Sequence, residues 1–400
     1  MKILMVSPYV PWPIYGGTSV RIFNLLRELS GRGHEIILLA GSKDKNPKIM
    51  PDNPLKSVCK EVRFFELDNR GSFGSAVRSL FSLQPYPVLN FYTDSLKRSF
   101  SNALSLQKFD LIWVNLSVLG NILFDGAVGN TSVLLDHPEC EELVYEDYLH
   151  EGGLKEKIFS VINLIKLKRF HKKIFSKVDV ILCVSEEEAK FTRKQTNKKV
   201  WVVPNGVDEK KYYPADISKN NRNYIILSGG MNIRRNIDSA VWFVSSIFTK
   251  IKEQINDAEL WIVGSDPVAE VKNLGLAPGV RVTGTVENIG DYYRMGKVFV
   301  APYRFGAGTK LKVFEAMASG IPIVSTSVGC RGIKVIDKEH LIIANNEKDF
   351  SNSVIGLLNN PELSQRLSRN SLALIKKEYR WENIVDKLEP ILMNLKNNKK

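Results

Sequence analysis

From Val298 to Thr326 the chain reads strand, glycine loop, helix, strand. Val298–Ala301 is a short apolar run, as a strand buried on both faces of a parallel sheet requires. Pro302 ends it, and Gly306 and Gly308 permit tight turning. Thr309 is placed to cap a helix running to about Ser319. Gly320 and Pro322 then mark a helix end before an apolar run to Thr326. A helix that starts behind a glycine loop has free N–H groups for a phosphate. Lys310 and Lys312 add positive charge where the helix dipole alone prefers anions, and an external anion would resolve that conflict. Glu315 sits among Val313, Phe314, Ala316 and Met317, where a carboxylate is costly unless it meets donors such as sugar hydroxyls. The alternative is an ordinary βαβ unit with a Glu leaning to solvent.

The 400 residues suffice for two domains, and no apolar run reaches the ~18 residues of a spanning helix. Residues 1–7 read as a first strand rather than a signal peptide. Cys59, Cys140, Cys183 and Cys330 are scattered without a Cys-x-x-Cys pair, so neither metal nor disulfide is expected, and a reducing cytoplasm is. The formal charge of +13 calls for an anionic partner. Zinc-finger spacing and RNP-like motifs are absent from the sequence, which argues against nucleic acid.

The first half alternates strands and helices. Strands are expected near residues 2–7, 35–40, 61–67, 110–115, 131–135, 178–184 and 199–203, with helices at 18–30, 73–83, 94–106 and 154–177. Gly16 and Gly17 lie between the first strand and first helix, where open α/β sheets bind ligands, or form a mere turn. His137 follows the fifth strand and is expected to point into a binding site, although a lone His is commonly structural. Residues 154–177 are amphipathic and lysine-rich. Two readings stay open for them: a face for anionic lipid, or a packed surface helix with solvated charges.

The second half restarts the pattern. Strands are expected near 223–227, 258–263, 280–283 and 341–344. Ser228-Gly229-Gly230 ends the first of these, and Arg234-Arg235-Asn236 precedes a helix reaching about Glu253. Arg suits bidentate phosphate contact. Helices are expected near 347–358 and 361–378, and a last one from 381 to about 395.

Glu315-Ala316-Met317-Ala318-Ser319-Gly320-Ile321-Pro322-Ile323-Val324 resembles the donor-binding motif of glycosyltransferase family 4, the group 1 transferases. Gly306-Ala307-Gly308-Thr309-Lys310-Leu311-Lys312 is similar to a variant segment in a bacterial branch of that family. The first Glu of the family's Glu-x7-Glu pair falls on Ala307. Pro204-Asn205-Gly206-Val207-Asp208 is similar to the segment before the family's interdomain linker. The resemblance covers nearly the whole chain and implies an α/β GT-B fold, with two Rossmann-like domains facing across a cleft. Residues 1–203 would form the acceptor-side domain, 204–222 the linker and 223–380 the donor domain. Residues 381–400 would return to the first domain.

The implied activity is retaining transfer of a hexose-type sugar from a nucleotide-sugar to a glycan or lipid-linked acceptor, in bacterial cell-surface polysaccharide synthesis. His137 would contact the donor sugar and Glu315 the ribose. Gly16, Gly17, Gly229, Gly308, Thr309, Lys310 and Leu311 would line the donor site. Arg235 and Lys312 would carry the leaving diphosphate's charge, since a Gly230 stands where the family has an Arg. No Asp-x-Asp pair is present, so no metal and no cofactor are expected. The expected place is the cytoplasm, peripheral to the inner membrane face on the lipid reading of 154–177. A catalytically silent nucleotide-sugar-binding partner, a sugar-nucleotide epimerase of similar fold and a nicotinamide enzyme are the alternatives.

Overall fold

A computed structural model describes residues 1–14, 16–44, 47, 50, 52–67, 79, 82–125, 128–151, 153–214 and 222–397. The chain divides into two compact units, one of Met1–Pro204 with Ile384–Lys400, the other of Asn205–Asn383.

The first unit is built on a seven-stranded parallel sheet in the order β3-β2-β1-β4-β5-β6-β7. Its strands are β1 Lys2–Ser7, β2 Glu35–Ser42, β3 Glu61–Glu66, β4 Leu111–Asn115, β5 Ser132–Asp136, β6 Val180–Cys183 and β7 Lys199–Val202. The central strands read as unbroken apolar runs because both faces are covered: Ile3, Leu4, Met5 and Val6 are all 0% exposed. β1 pairs β2 on one side and β4 on the other, with Ile3 opposite both Ile36 and Leu111. The strand order reverses there, which makes the C-terminal end of β1 the natural ligand position.

The helices used below are α1 Gly16–Gly31, α2 Asp94–Leu106, α3 Glu141–Glu151, α4 Leu154–Phe175 and α5 Glu186–Arg193. α1 starts two residues before the expected position, at Gly16 itself. The helix expected at 73–83 lies almost wholly outside the described residues. So does most of the expected linker: 215–221 are not described, and 205–214 group with the second unit.

The second unit repeats the topology with six parallel strands, β10-β9-β8-β11-β12-β13. They are β8 Tyr224–Ser228, β9 Glu259–Val263, β10 Val280–Gly284, β11 Val298–Ala301, β12 Ile323–Ser325 and β13 Ile342–Ile343. Alternation along the strands feeds two cores. Ile225, Leu227, Val298 and Val300 pack with Phe243, Ile247 and Phe350. Ile226, Phe299 and Ala301 pack with Val313, Phe314, Met317 and Tyr379. The order reverses between β8 and β11, so the loops after these two strands diverge around one point. The helices here are α6 Arg234–Trp242, α7 Leu311–Ala318, α8 Glu347–Asn359 and α9 Pro361–Leu374.

The last helix, α10 Trp381–Asn397, buries Ile384, Val385, Leu388 and Leu392 completely. From Ile384 onward it belongs to the first unit. His34 Nε2 meets Glu389 at 2.8 Å, and Ser132 donates to the Leu395 carbonyl at 2.8 Å.

Candidate functional site

In the second unit the site begins with backbone. A Cβ at Gly264 would lie 1.6 Å from the Gly229 carbonyl oxygen, and one at Gly229 would lie 2.7 Å from Asn236 Nδ2. The ends of β8 and β9 therefore approach as only glycines allow. Asn236 Nδ2 donates to the Gly230 carbonyl at 2.8 Å and fixes the turn. α6 starts at Arg234, so Arg234 and Arg235 are its first residues rather than a preceding loop, and no side chain caps it.

The loop after β11 meets this turn through Arg235. Gly306 has φ of +117°, and a Cβ there would lie 3.0 Å from Arg235 Cδ. The half-buried Arg235 thus runs along the glycine loop, joining the two loops that the strand order sets apart.

Three basic residues nearby are already engaged. Lys310 is only 6% exposed and donates to the carbonyls of Gly306, Ala307 and Gly308 at 2.7, 2.9 and 2.9 Å. This corrects the expected role of Lys310 as a phosphate-binding cation: it holds the loop's own carbonyls from within. Arg304 pairs with both oxygens of Asp238. Lys312 Nζ lies 2.8 Å from Glu315 Oε2. Among the described residues Arg235 has no carboxylate partner.

The helix start is also corrected. Thr309 does not cap it, because its hydroxyl accepts from Asn205 Nδ2 at 2.9 Å. α7 begins at Leu311, with Lys310 in the cap position and no side-chain cap. Its first N–H groups keep the character expected of them. Gly308, with φ of +74°, has open space around its Cβ position.

Glu315 is 7% exposed, and its donors are internal. Tyr293 OH donates to Oε2 at 3.1 Å, beside Lys312. Tyr212 also bonds this carboxylate; burial first, then Glu315, pushes the Tyr212 phenol upward. Burial and Glu315 likewise keep Tyr293 protonated, and Ser228 Oγ lies 2.8 Å from its hydroxyl. Tyr212 and Tyr293 were not legible as site residues, since nothing in their spacing ties them to Glu315.

In the first unit, exposed Gly16 (φ +80°) and Gly17 open α1 beyond the end of β1. Arg21, on the same helix, is 1% exposed. It makes a bidentate pair with Asp136 at the end of β5, both bonds 2.8 Å, and donates to the Pro204 carbonyl at 3.1 Å. Arg21 escapes sequence reading because its partner is remote in the chain.

His137 follows β5 as expected but does not open outward. It is 1% exposed, and its ring stands edge-on to His171 at 5.1 Å and to Phe175 at 6.0 Å, both on α4. Burial, then neighbouring His171, holds its pKa down to about 3. The direct sugar contact expected of His137 is corrected to an enclosed position. Glu142 lies 2.6 Å from His171 Nδ1 and, against the cost of burial, Glu142 and then Glu141 raise the His171 pKa.

The outer face of α4 is apolar as well. Leu154, Ile158, Val161 and Ile165 are 77, 54, 47 and 50% exposed, one stripe among exposed Lys155, Lys157, Lys168 and Arg169. All four cysteines are free and buried. Among the described residues no helix is long and apolar enough to cross a membrane.

Residues 222–360 match the family described as glycosyl transferases, group 1. An uncharacterized 44.6 kDa protein in the cps region of Klebsiella pneumoniae is 24% identical over 94% of this chain and 96% of that one. The N-acetyl-alpha-D-glucosaminyl L-malate synthase of Bacillus anthracis is 24% identical over 95% of this chain and 94% of its own. Sucrose-phosphate synthase from Thermosynechococcus elongatus shares the fold, with a TM-score of 0.73 and 17% identity over 99% of both chains. The chain is a glycosyltransferase of the GT-B fold whose second unit carries the group 1 transferase domain.

Proposed function

We propose that this protein transfers a sugar from a nucleotide-sugar to a glycan or lipid-linked acceptor, with retained anomeric configuration, in the synthesis of a bacterial cell-surface polysaccharide. One observation carries the reading: Arg235 lies along the glycine loop that leads into the uncapped start of α7, with Glu315 on the same helix. A guanidinium and unspent helix N–H groups at one strand-order reversal suit a diphosphate. The similarity to a protein of a cps region supports the polysaccharide setting.

In this reading the sugar C1–O bond to the diphosphate breaks as the acceptor oxygen bonds C1 on the same face. The acceptor's proton passes to the departing phosphate oxygen. Arg235 and the N–H groups of Leu311 and Lys312 take the growing negative charge, which is electrostatic stabilisation of the leaving group. Ribose hydroxyls donate to Glu315, whose carboxylate the two tyrosines hold in place. They displace Lys312, whose ammonium then turns to the diphosphate. Lys310 shapes the loop. The charge is met by side chains, so added magnesium or manganese leaves turnover unchanged. The outer stripe of α4 brings the enzyme to an anionic membrane surface, where a lipid-linked acceptor resides.

The test is thermal shift of the full chain against UDP, GDP, dTDP and CMP. One nucleoside diphosphate raises Tm, and Arg235→Ala and Glu315→Ala each abolish the rise. The absence of a shift from every diphosphate in the wild type would overturn the donor assignment.

A further inference from the structure

Three buried polar atoms in the first unit converge without hydrogen-bond partners: His137 Nδ1, His171 Nε2 and Glu141 Oε2. His137 is 1% exposed and His171 0%. Glu141 Oε2 lies 3.7 Å from His137 Nδ1 and 3.5 Å from His171 Nε2. Those separations are too long for good hydrogen bonds. They are close to what a tetrahedral ion demands, because zinc bonds of ~2.0–2.1 Å set ligand atoms about 3.4 Å apart. With Glu142 added, all four groups offer a ligand atom within 4.8 Å of one another.

The surroundings are those of a metal site. His171 Nδ1 lies 2.6 Å from Glu142 Oε1, which leaves Nε2 as a lone-pair donor facing the other ligands. Ser117 Oγ donates to Glu141 Oε1 at 2.6 Å and turns Oε2 toward the histidines. Cys140 Sγ donates to Glu142 Oε2 at 3.2 Å. Carboxylates and hydroxyls behind the ligands fix tautomer and orientation.

An ion pair is the simpler account of these residues, with a protonated His171 between Glu141 and Glu142. It leaves the 3.5 Å contact to Glu141 unmade and gives His137 Nδ1 no hydrogen-bond partner. Each such orphaned buried group is destabilising, because it has lost water and gained no partner. A bound cation satisfies all three atoms at once.

We infer that His137, Glu141 and His171 bind a divalent transition-metal ion, with Glu142 as the carboxylate behind His171. The two nitrogens and one carboxylate oxygen favour zinc. The ion would clamp the end of β5 to α4. It is structural and takes no part in the proposed reaction. It replaces the expectation of a metal-free chain.

The experiment uses the full chain with any affinity tag removed, stripped by chelator and titrated with Co²⁺. The expected result is one equivalent bound per chain with the visible spectrum of a tetrahedral site and no thiolate charge-transfer band. Zn²⁺ then displaces the Co²⁺ and raises Tm. Glu141→Gln, close to isosteric, weakens Co²⁺ binding at least tenfold while far-ultraviolet circular dichroism is unchanged. Wild-type protein that gives no tetrahedral spectrum and no zinc-dependent Tm rise overturns the inference, as does a thiolate band. Should Glu141→Gln fail to fold, the wild-type spectrum and metal content decide alone.

Discussion

Arg21 and Asp136 show what one buried pair commits the first unit to. Both are 1% exposed, and their two bonds are backed by the Pro204 carbonyl. Removing one partner strands a charge in the interior, which costs about 3–5 kcal/mol, whereas removing both costs much less. Urea denaturation of Asp136→Ala should show that loss, and the double variant Arg21→Met with Asp136→Leu should recover most of it. Glu188 on α5 gives the opposite case. It is 2% exposed, and burial first, offset in part by Ser185, lifts its pKa from 4.5 to about 7. The folded value lies above the unfolded one, so the native state holds the proton longer and stability falls as pH rises from about 4.5 to about 7. Glu188→Gln removes that loss. Its stability should match the wild type near pH 4.5 and exceed it by on the order of 2–3 kcal/mol near pH 8, measured by denaturation at each pH. A constant difference across that range would assign the effect to packing instead.

The glycine loop and α7 behave as one element, and Lys310 and Lys312 divide its work. Lys310→Met leaves three inward carbonyls without their donor, so it should lower both stability and diphosphate affinity, the first by roughly 1–3 kcal/mol. Lys312→Ala frees Glu315 from an ion pair whose Lys side chain is 31% exposed, so stability should change little. Its loss should appear in turnover, with nucleotide affinity weakened only modestly. Isothermal titration beside denaturation separates the two. The same element shows what was legible. Val298–Ala301 has no polar residue to mislead, and Gly320 takes φ of +69° just past the helix end. The helix start was misplaced because Thr309 finds Asn205, a partner remote in the chain. The short helix Tyr86–Phe91 carries Pro87 in its first turn and has no periodicity to announce it. Proline at the first turn lacks only an N–H that would go unpaired there. Elements set by local pattern were readable; the Glu315 tyrosines and the His137–His171 pairing depend on contacts that periodicity does not carry.

At the scale of the whole molecule two terms bear on where the enzyme works. The net charge of +13 acts over the entire surface, while the stripe on α4 acts only on contact. Charge attraction is screened within a Debye length of about 8 Å at physiological salt, but burial of apolar side chains is not. Binding to vesicles with anionic lipid should therefore fall as salt rises yet level off above zero. Ile158→Ser with Ile165→Ser keeps the net charge and removes two side chains worth about 1–2 kcal/mol each when buried. The double variant should bind normally at low salt and lose the salt-resistant part in a sedimentation assay. If it sediments as the wild type does at every salt concentration, the net charge alone explains binding and α4 is a solvated surface helix. If binding to neutral vesicles equals binding to anionic ones, the charge of the molecule plays no part. Only the expected pattern requires both terms, because it needs lysines beside the stripe to attract the surface and isoleucines to enter it.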